Sequence, residues 1–300
     1  MSPAAPSAPT PRATSAPPPA RGRGPMADAL RRLRRNPFAV AGAVFLVLLA
    51  LACFVLPAIL SLDENAQDPR HHDQAPSAAH WFGTDNLGRD YAARVLVGGR
   101  TSLLVGLVAT CVSLFIGTLW GATAGYYGGL VDDVMMRIVD FLYGIPYMFL
   151  VILIMLLFDE KHRGDPLPMF AALGAVQWLT MARIVRGQVI GLKHQEFVLA
   201  ARTMGASDRR ILLRHLLPNC VGPIVVYATL TVPSVILTEA FLSFLGLGIS
   251  LSWGVLVAES PLQDYLWRLA FPSAFLAATL LSLNFLGDGL RDALDPRTRK

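Results

Sequence analysis

The chain has 300 residues, and its composition is that of a membrane protein. Residues of the set AVILMFWYC make up 54%, whereas Asp, Glu, Lys and Arg together make up 16%, well below the roughly 25% of soluble domains. Such a chain has too little polar surface to cover itself in water, and disordered or disulfide-stapled classes are also excluded. The net charge of +5 does not indicate a nucleic-acid binder, because the basic residues are not interleaved with aromatic ones.

The N-terminal 36 residues are predicted to be a disordered, basic segment. They begin with a tract rich in proline, alanine and serine, which buries too little apolar surface to offset the entropy of ordering, and they end in four closely spaced arginines. An apolar run over residues 37–62 follows. Its length and late start are typical of a retained transmembrane helix rather than a cleaved signal peptide.

Five further apolar segments predict an all-α membrane protein with about six transmembrane helices. An external loop is predicted over residues 63–100, a transmembrane core over residues 101–290 and a tail over residues 291–300. The predicted spans of the core are Thr101–Ala124, Ile138–Phe158, Pro168–Gln188, Cys220–Leu245 and Phe271–Leu286. The prolines and glycines inside these spans are compatible with a bundle, where neighbouring helices satisfy freed backbone groups.

The distribution of basic residues predicts the orientation of the chain. If the N-terminus is cytoplasmic, 19 of the 26 lysines and arginines lie in cytoplasmic segments and 7 in external ones. The same assignment gives the cytoplasmic segments a net charge of +10 and the external ones −4. Positive residues concentrate on the cytoplasmic side of membrane proteins, so both termini are predicted to be cytoplasmic.

The cytoplasmic segment between the fourth and fifth spans, residues 193–218, has the pattern of two short helices joined by a turn. An apolar stripe recurs at helical spacing in the first helix and consists of Phe197, Ala200, Ala201 and Met204. Gly205 follows at the position where a left-handed C-terminal cap is expected.

The second helix of this segment is predicted to begin at Ser207, a candidate N-cap, with Asp208 in its first turn. It carries Arg209 and Arg210, and Pro218 marks the start of the next span. Two interpretations remain open on these residues alone. The segment is either an amphipathic linker resting on lipid headgroups or a docking surface for a cytoplasmic protein.

The run AARTMGASDRRILLRHLLP resembles the EAA loop of binding-protein-dependent ABC importer permeases, in which two coupling helices surround a glycine. The positions that the resemblance assigns to ATPase coupling, together with their neighbours, are Glu196, Ala200, Ala201, Gly205, Ser207, Asp208, Arg209, Arg210, Leu217 and Pro218. Leu199 stands at the family's glutamate position, and Glu196 lies one turn earlier.

Three other segments resemble the dipeptide/oligopeptide/nickel subfamily of these permeases, and specifically its C-type subunit. They are HWFGTDNLGRDYAARVLVGGRTSLLVG (His80–Gly106), EAFLSFLGLGISLSWGVLVAE (Glu239–Glu259) and NFLGDGLRDALDPR (Asn284–Arg297). The resemblance implies a type I ABC importer permease fold in a bacterial inner membrane, with peptides or similar small solutes as cargo. It also implies a second homologous permease, two ATPase subunits that hold ATP and Mg, and an extracytoplasmic substrate-binding protein.

The chain itself is predicted to bind no cofactor and to have no catalytic residues. None of its three lysines follows a glycine, as a phosphate-binding P-loop requires. Cys53, Cys111 and Cys220 lie in or beside apolar runs without CxxC spacing and are predicted to be buried free thiols. An ion-gradient-driven transporter or channel is the alternative function, although no inverted repeat is visible.

Glu239 is the one acid well inside an apolar span. Intramembrane acids usually face a bundle interior or a water-filled path, so Glu239 is a candidate for the translocation path or gate, with hydrogen bonding between helices as the alternative. The external segment Gly83–Asp90 has the composition of a folded turn. It is either a cap on the bundle or a contact for a partner protein. The nearby His71, His72 and His80 fit no strong metal-binding spacing, so no metal site is predicted.

Overall fold

A computed structural model describes residues 25–158, 165–260 and 265–294, and these fold as a helical bundle. The helices are α1 (Pro25–Leu33), α2 (Pro37–Ile59), α3 (Tyr91–Tyr127), α4 (Gly129–Tyr143), α5 (Tyr147–Leu156), α6 (Pro166–Leu192), α7 (Glu196–Thr203), α8 (Asp208–Arg210), α9 (Leu217–Phe244), α10 (Trp253–Ala258) and α11 (Leu266–Leu294). Five helical stretches in this part of the chain are long and apolar enough to cross a membrane, and α4 with α5 makes up to six. The prediction of about six spans is confirmed.

The centre of the bundle is the parallel packing of α3 on α6, which small residues make possible. Gly117, Gly121 and Gly125 recur every four residues on α3 and face α6. A Cβ atom at Gly117 would lie 2.7 Å from the backbone oxygen of Trp178, and one at Gly121 would collide with the backbone of Ala182. Helices in membranes associate closely through such stripes, because the missing side chains bring the backbones into contact.

The third predicted span is not one continuous helix. α4 and α5 meet at an angle of 91° across Gly144, Ile145 and Pro146. Proline has no N–H to donate, and it disfavours helical backbone in the residue before it. The predicted span over Ile138–Phe158 is therefore formed by two helices, and the chain turns sharply between them.

Several predicted boundaries also differ from the structure. Helix α3 begins at Tyr91, inside the predicted external loop of residues 63–100, because Asp90 caps it by accepting a hydrogen bond from the Ala93 amide at 3.0 Å. Residues 25–33 form helix α1 within the segment expected to be disordered, whereas residues 1–24 lie outside the described residues. The last span runs from Leu266 to Leu294, into the predicted tail. Cys53 and Cys220 are buried as expected, but Cys111 is exposed.

The two ends of the bundle are distinct. One end, called here the basic end, carries α1, α7 and the C-terminal end of α11, and Ala29 and Leu33 of α1 lie beside Leu290 and Ala293 of α11 there. The opposite end carries residues 60–90 and the start of α11, where Phe82 stacks on Phe271 with ring centroids 4.1 Å apart. Both ends are connected by α2, α3, α6, α9 and α11.

Candidate functional site

The segment between α6 and α9, residues 193–218, is held on the basic end by a small buried face. Val198, Ala201, Ile211 and Leu216 are buried in a cluster with residues of α3 and α6 such as Tyr126 and Val185. The residues of the predicted apolar stripe are divided between the inner and outer sides of α7. Ala201 is buried, but Phe197, Ala200 and Met204 are exposed, since Val198 rather than Phe197 faces the bundle.

Gly205 ends α7 in the left-handed conformation that the sequence predicts. Its φ angle is +78°, its amide donates to the Arg202 oxygen at 2.9 Å, and the Ala206 amide donates to the Ala201 oxygen at 3.0 Å. This pair of bonds is the Schellman motif, in which glycine avoids the strain of a Cβ atom. Nothing lies within 4 Å of where a Cβ atom at Gly205 would be, so its requirement for glycine is conformational rather than steric.

The second helix of this segment continues past Pro218 into the next span. Helix α8 continues through a π-helical turn, Ile211–Leu216, into α9, and together they form one 37-residue helix, Asp208–Phe244. Pro218 occupies the first turn of α9, where the wide π-helical turn precedes it. Ser207 takes the N-cap position as predicted, but its side chain makes no capping hydrogen bond.

A tyrosine that the sequence did not single out connects this segment to the bundle. The Tyr126 hydroxyl, at the end of α3, donates to Asp208 Oδ1 at 2.6 Å, and the Arg202 guanidinium lies over the Tyr126 ring at 5.5 Å. Lys193 Nζ donates to the Gly125 oxygen at 2.9 Å. These few polar contacts join the segment to the C-terminal end of α3.

The outer side of the segment is exposed and of mixed character. Met204 is 86% exposed and Leu199 is 50% exposed. Arg209 and Arg210 are exposed on α8, and Glu196 is exposed at the start of α7. Leu217 is partly buried and Pro218 is exposed. The inner face of the segment is packed on the bundle, whereas the outer face is apolar and cationic. A second protein could therefore contact the outer face without displacing the bundle.

Two arginines of α6 hold α4 against the bundle near the basic end. Arg186 donates to both carboxylate oxygens of Asp132, at 2.5 and 2.7 Å. Arg183 donates to Asp140 Oδ1 at 2.7 Å, and its guanidinium lies over the Tyr143 ring at 3.9 Å. The fourth predicted span indeed carries both arginines at its far end, but sequence spacing gave no sign of their partners on α4.

Glu239 lies in the interior of the bundle, between α3, α9 and α10. Its side chain is fully buried. Oε2 accepts a hydrogen bond from Ser102 at 3.1 Å, and Oε1 accepts one from Ser243 at 2.7 Å. These contacts match the alternative of hydrogen bonding between helices, and its role in a translocation path or gate stays a prediction.

Helix α10 is wedged tightly beside Glu239. Trp253 is fully buried, and its indole N–H donates to the Val95 oxygen of α3 at 2.9 Å. A Cβ atom at Gly254 would lie 2.5 Å from Ala240 of α9, and one at Gly99 would lie 2.6 Å from the Trp253 ring. The stretch after α9 is therefore locked into the bundle by close backbone approach.

A buried ion-pair network holds the opposite end together. Asp85 is fully buried and accepts from the amides of Leu87 and Arg89, both at 2.9 Å, and from Arg94 Nη1 at 2.9 Å. Arg94 Nη2 also donates to Glu259 at 3.0 Å. Burial opposes the charged carboxylate, but the hydrogen bonds from Arg89 and Leu87 outweigh it, so the pKa of Asp85 lies below its usual value.

The network extends to the rest of the external segment, which is folded as one of the two interpretations expects. Arg268 Nη1 donates to Asp73 at 3.0 Å, and the Tyr91 hydroxyl donates to the Arg268 oxygen at 2.7 Å. His80 pairs with Asp90 at 2.9 Å. Within the described residues, no three His, Cys, Asp or Glu side chains are grouped as a metal site requires.

Two protein families match the chain. Residues 117–300 match the family described as "Binding-protein-dependent transport system inner membrane component", and residues 24–76 match the "N-terminal TM domain of oligopeptide transport permease C". The first match covers more than half of the chain and includes the segment of residues 193–218.

Curated relatives resemble the chain over most of its length. The oligopeptide transport system permease protein OppC of Escherichia coli (strain K12) is 47% identical, with 93% of each chain covered. OppC of Bacillus subtilis (strain 168) is 44% identical over 91% of this chain and 90% of the relative. The dipeptide transport system permease protein DppC of the same organism is 46% identical over 91% of this chain and 86% of the relative.

A solved structure has a similar fold. It is an inward-facing conformation of the MetNI methionine ABC transporter, with a TM-score of 0.55 and 18% identity, covering 67% of this chain and 96% of that one. The matched families, the relatives and this fold agree with the resemblance read from the sequence. The chain belongs to the family of binding-protein-dependent transport system inner membrane components, and it is a multi-span ABC permease component of the inner membrane rather than an enzyme.

Proposed function

We propose that the chain forms part of the translocation path of an ABC importer and that residues 193–218 are its coupling loop. In this proposal the loop receives the movement of two partner ATPases, which hold ATP and Mg, and passes it to the bundle. A second homologous permease completes the path, and an extracytoplasmic binding protein delivers the solute. Alternating access then follows from ATPase closure, without covalent chemistry in this chain.

The observation that carries the proposal is the two-sided character of the coupling loop. Its inner face is buried on α3 and α6 through Val198 and Ile211, so a push on the loop reaches these helices directly. Its outer face exposes Met204 together with Arg209 and Arg210. A linker resting on lipid headgroups would not need an inner face buried on α3 and α6. It would also not need α8 and α9 to form one continuous helix.

The cargo is proposed to be peptides. This rests on the named oligopeptide and dipeptide permeases that the chain resembles at 44–47% identity. The orientation with both termini in the cytoplasm rests on the excess of basic residues at the end that carries the coupling loop. Uptake of a labelled dipeptide and a labelled pentapeptide by the reconstituted importer tests the cargo, and nickel uptake without peptide uptake would contradict it.

The coupling assignment is tested by Gly205→Val. A β-branched residue at φ +78° is strained and costs on the order of 1–2 kcal/mol in the left-handed region, so the turn between α7 and α8 is expected to change shape. We expect the variant to insert normally but to lose solute uptake while the ATPases continue to hydrolyse ATP. The measurement is peptide uptake and ATP hydrolysis in the same proteoliposomes.

Two control variants distinguish a loss of coupling from an effect of backbone strain and from an effect of added side-chain volume. Gly246 also has φ +78° and open space around it, but it follows α9 at the far end of that helix. Gly246→Val should therefore carry similar strain but retain uptake coupled to ATP hydrolysis. Gly191→Val adds the same volume within α6, where nothing lies within 4 Å, and should leave uptake unchanged. Normal uptake in Gly205→Val would overturn the assignment.

The charge-reversal pair Arg209→Glu and Arg210→Glu tests the same surface without altering the backbone. Both side chains are exposed, so folding should be unaffected, while a partner with complementary charge would be repelled. We expect ATPase subunits to be lost on affinity purification in mild detergent. Full retention of the ATPases would favour the lipid-linker interpretation instead.

A further inference from the structure

A groove on the outer face of α2 lies directly below two arginines. Arg34 and Arg35 occupy the turn between α1 and α2, and beside them a shallow, open groove of about 580 Å³ runs along Val40, Val44, Phe45 and Leu48. We propose that this groove binds one anionic phospholipid from the membrane leaflet at the basic end. The phosphate lies against the two guanidinium groups, and an acyl chain lies along the α2 groove.

The length of the groove fits one leaflet. It extends from Pro37 to Leu48, and eleven residues of α-helix rise by roughly 16 Å. The hydrocarbon core of a bilayer is ~30 Å thick, so this distance is about that of a single leaflet. The arginines at the upper end therefore lie at the depth of the headgroups.

The groove faces away from the bundle. The opposite face of α2 is occupied, since Ala39, Gly42, Leu49 and Cys53 are buried. At Gly42, a Cβ atom would lie 2.7 Å from the backbone oxygen of Ser282 on α11. Val44 and Leu48 on the groove side are 53% and 60% exposed. The described residues leave this groove exposed to the surroundings of the chain in the membrane.

The charge above the groove is positive and uncompensated. Arg34 and Arg35 are exposed and form no ion pair among the residues that the structure describes, and the first turn of α2 has no acidic residue. Asn36 Oδ1 already accepts from the amides of Phe38 and Ala39, at 3.1 and 3.2 Å. The side chains rather than the helix amides are thus available to the ligand, and planar guanidinium groups suit phosphate oxygens.

The test is native mass spectrometry of the full chain in detergent, titrated with phosphatidylglycerol or with phosphatidylcholine. The wild-type chain should prefer phosphatidylglycerol. Arg34→Gln combined with Arg35→Gln should weaken phosphatidylglycerol binding roughly thirtyfold and phosphatidylcholine binding little. Val44→Trp, which fills the groove without changing the charge, should weaken the binding of both lipids.

A matched control removes two other exposed arginines from the described chain, Arg137 and Arg291. Arg137→Gln with Arg291→Gln lowers the net charge equally and should retain the preference for phosphatidylglycerol. An equal loss in both double variants, or no loss in Arg34→Gln with Arg35→Gln, would overturn the proposal. In the assembled importer, crosslinking of Val44→Cys to the second permease would also overturn it, by showing that protein fills the groove.

Discussion

The segment of residues 193–218 and the opposite end of the bundle hold their charged residues in different ways. At the end opposite the proposed coupling loop, Asp85, Arg94 and Arg268 are buried and paired inside the chain, Asp85 with Arg94 and Arg268 with Asp73. At the basic end, Arg209 and Arg210 are exposed on a loop fastened by a small apolar face. Internal pairing fixes the shape of one end. At the basic end Arg183 and Arg186 are also paired, with α4, but Arg209 and Arg210 stay exposed for interactions outside the chain.

Two large apolar residues, one near each end, differ in the same sense. Trp253, near the opposite end, is fully buried and hydrogen-bonded to α3, whereas Met204 on the coupling loop is 86% exposed. Burying a large apolar side chain contributes about 1.5–3 kcal/mol, and a loop that leaves one exposed forgoes that contribution. Under the proposed function, an ATPase that covers Met204 would supply this contribution.

The largest expected effect is that of Asp85→Ala. Removing one member of a buried ion pair leaves the others uncompensated, and such changes cost about 3–5 kcal/mol of unfolding free energy. Asp208→Ala on the coupling loop removes an exposed carboxylate with one hydrogen-bond partner, Tyr126, and should cost about 1 kcal/mol or less. Denaturant titration of both variants in the same detergent measures the difference.

The pH dependence of Asp85 provides a second measurement. Because its pKa is lowered in the fold, its contribution is fully present above the unfolded-state pKa of about 4 and is lost as the pH falls through the lower folded value. The Asp85→Ala variant should therefore lose less stability than the wild type on acidification. Equal acid sensitivity in the two proteins, or equal stability loss in Asp85→Ala and Asp208→Ala, would contradict the comparison of the two ends.

The sequence predicted the features that depend on residues close together along the chain. Apolar run lengths located the spans, and the glycine after an eight-residue helical pattern predicted the left-handed cap at Gly205. The break at Pro146 was missed because proline inside an apolar run is compatible with both a kink and a continuous span. Arg94 and Glu259 are separated by 165 residues, and no local periodicity reports which distant helices become neighbours.

An intermediate effect is expected for Glu239, in the tightly packed part of the bundle. Glu239→Leu leaves the Ser102 and Ser243 hydroxyls without their acceptor, which should cost about 2 kcal/mol. Glu239→Gln has nearly the same shape, but its amide fixes one donor and one acceptor, whereas a carboxyl group can adapt to changing hydroxyl partners. We expect Glu239→Gln to reduce peptide uptake in proteoliposomes without weakening ATPase binding.

Comparing Glu239→Leu with Glu239→Gln separates an effect on stability from an effect on transport. Retained stability with reduced uptake in Glu239→Gln would support a role in the path or gate. Unchanged uptake would assign Glu239 to hydrogen bonding between α3 and α9 alone. Ser113→Ala on α3 is a useful control, since Ser113 is a buried polar side chain without a hydrogen-bond partner among the described residues.

The smallest effect on stability is expected for Tyr126→Phe, which removes the hydroxyl that donates to Asp208 at 2.6 Å and keeps the aromatic ring beneath Arg202. A single, partly buried hydrogen bond contributes about 1 kcal/mol, so unfolding should change little. Uptake per ATP hydrolysed should fall, because the loop is held less firmly on α3. The double variant with Asp208→Ala should be no less stable than Asp208→Ala alone, since both changes remove the same bond. A loss of unfolding free energy from Tyr126→Phe as large as that from Asp85→Ala would mean that the basic end is as firmly fixed by internal contacts as the opposite end. The exposed face of the loop would then need an explanation other than a partner.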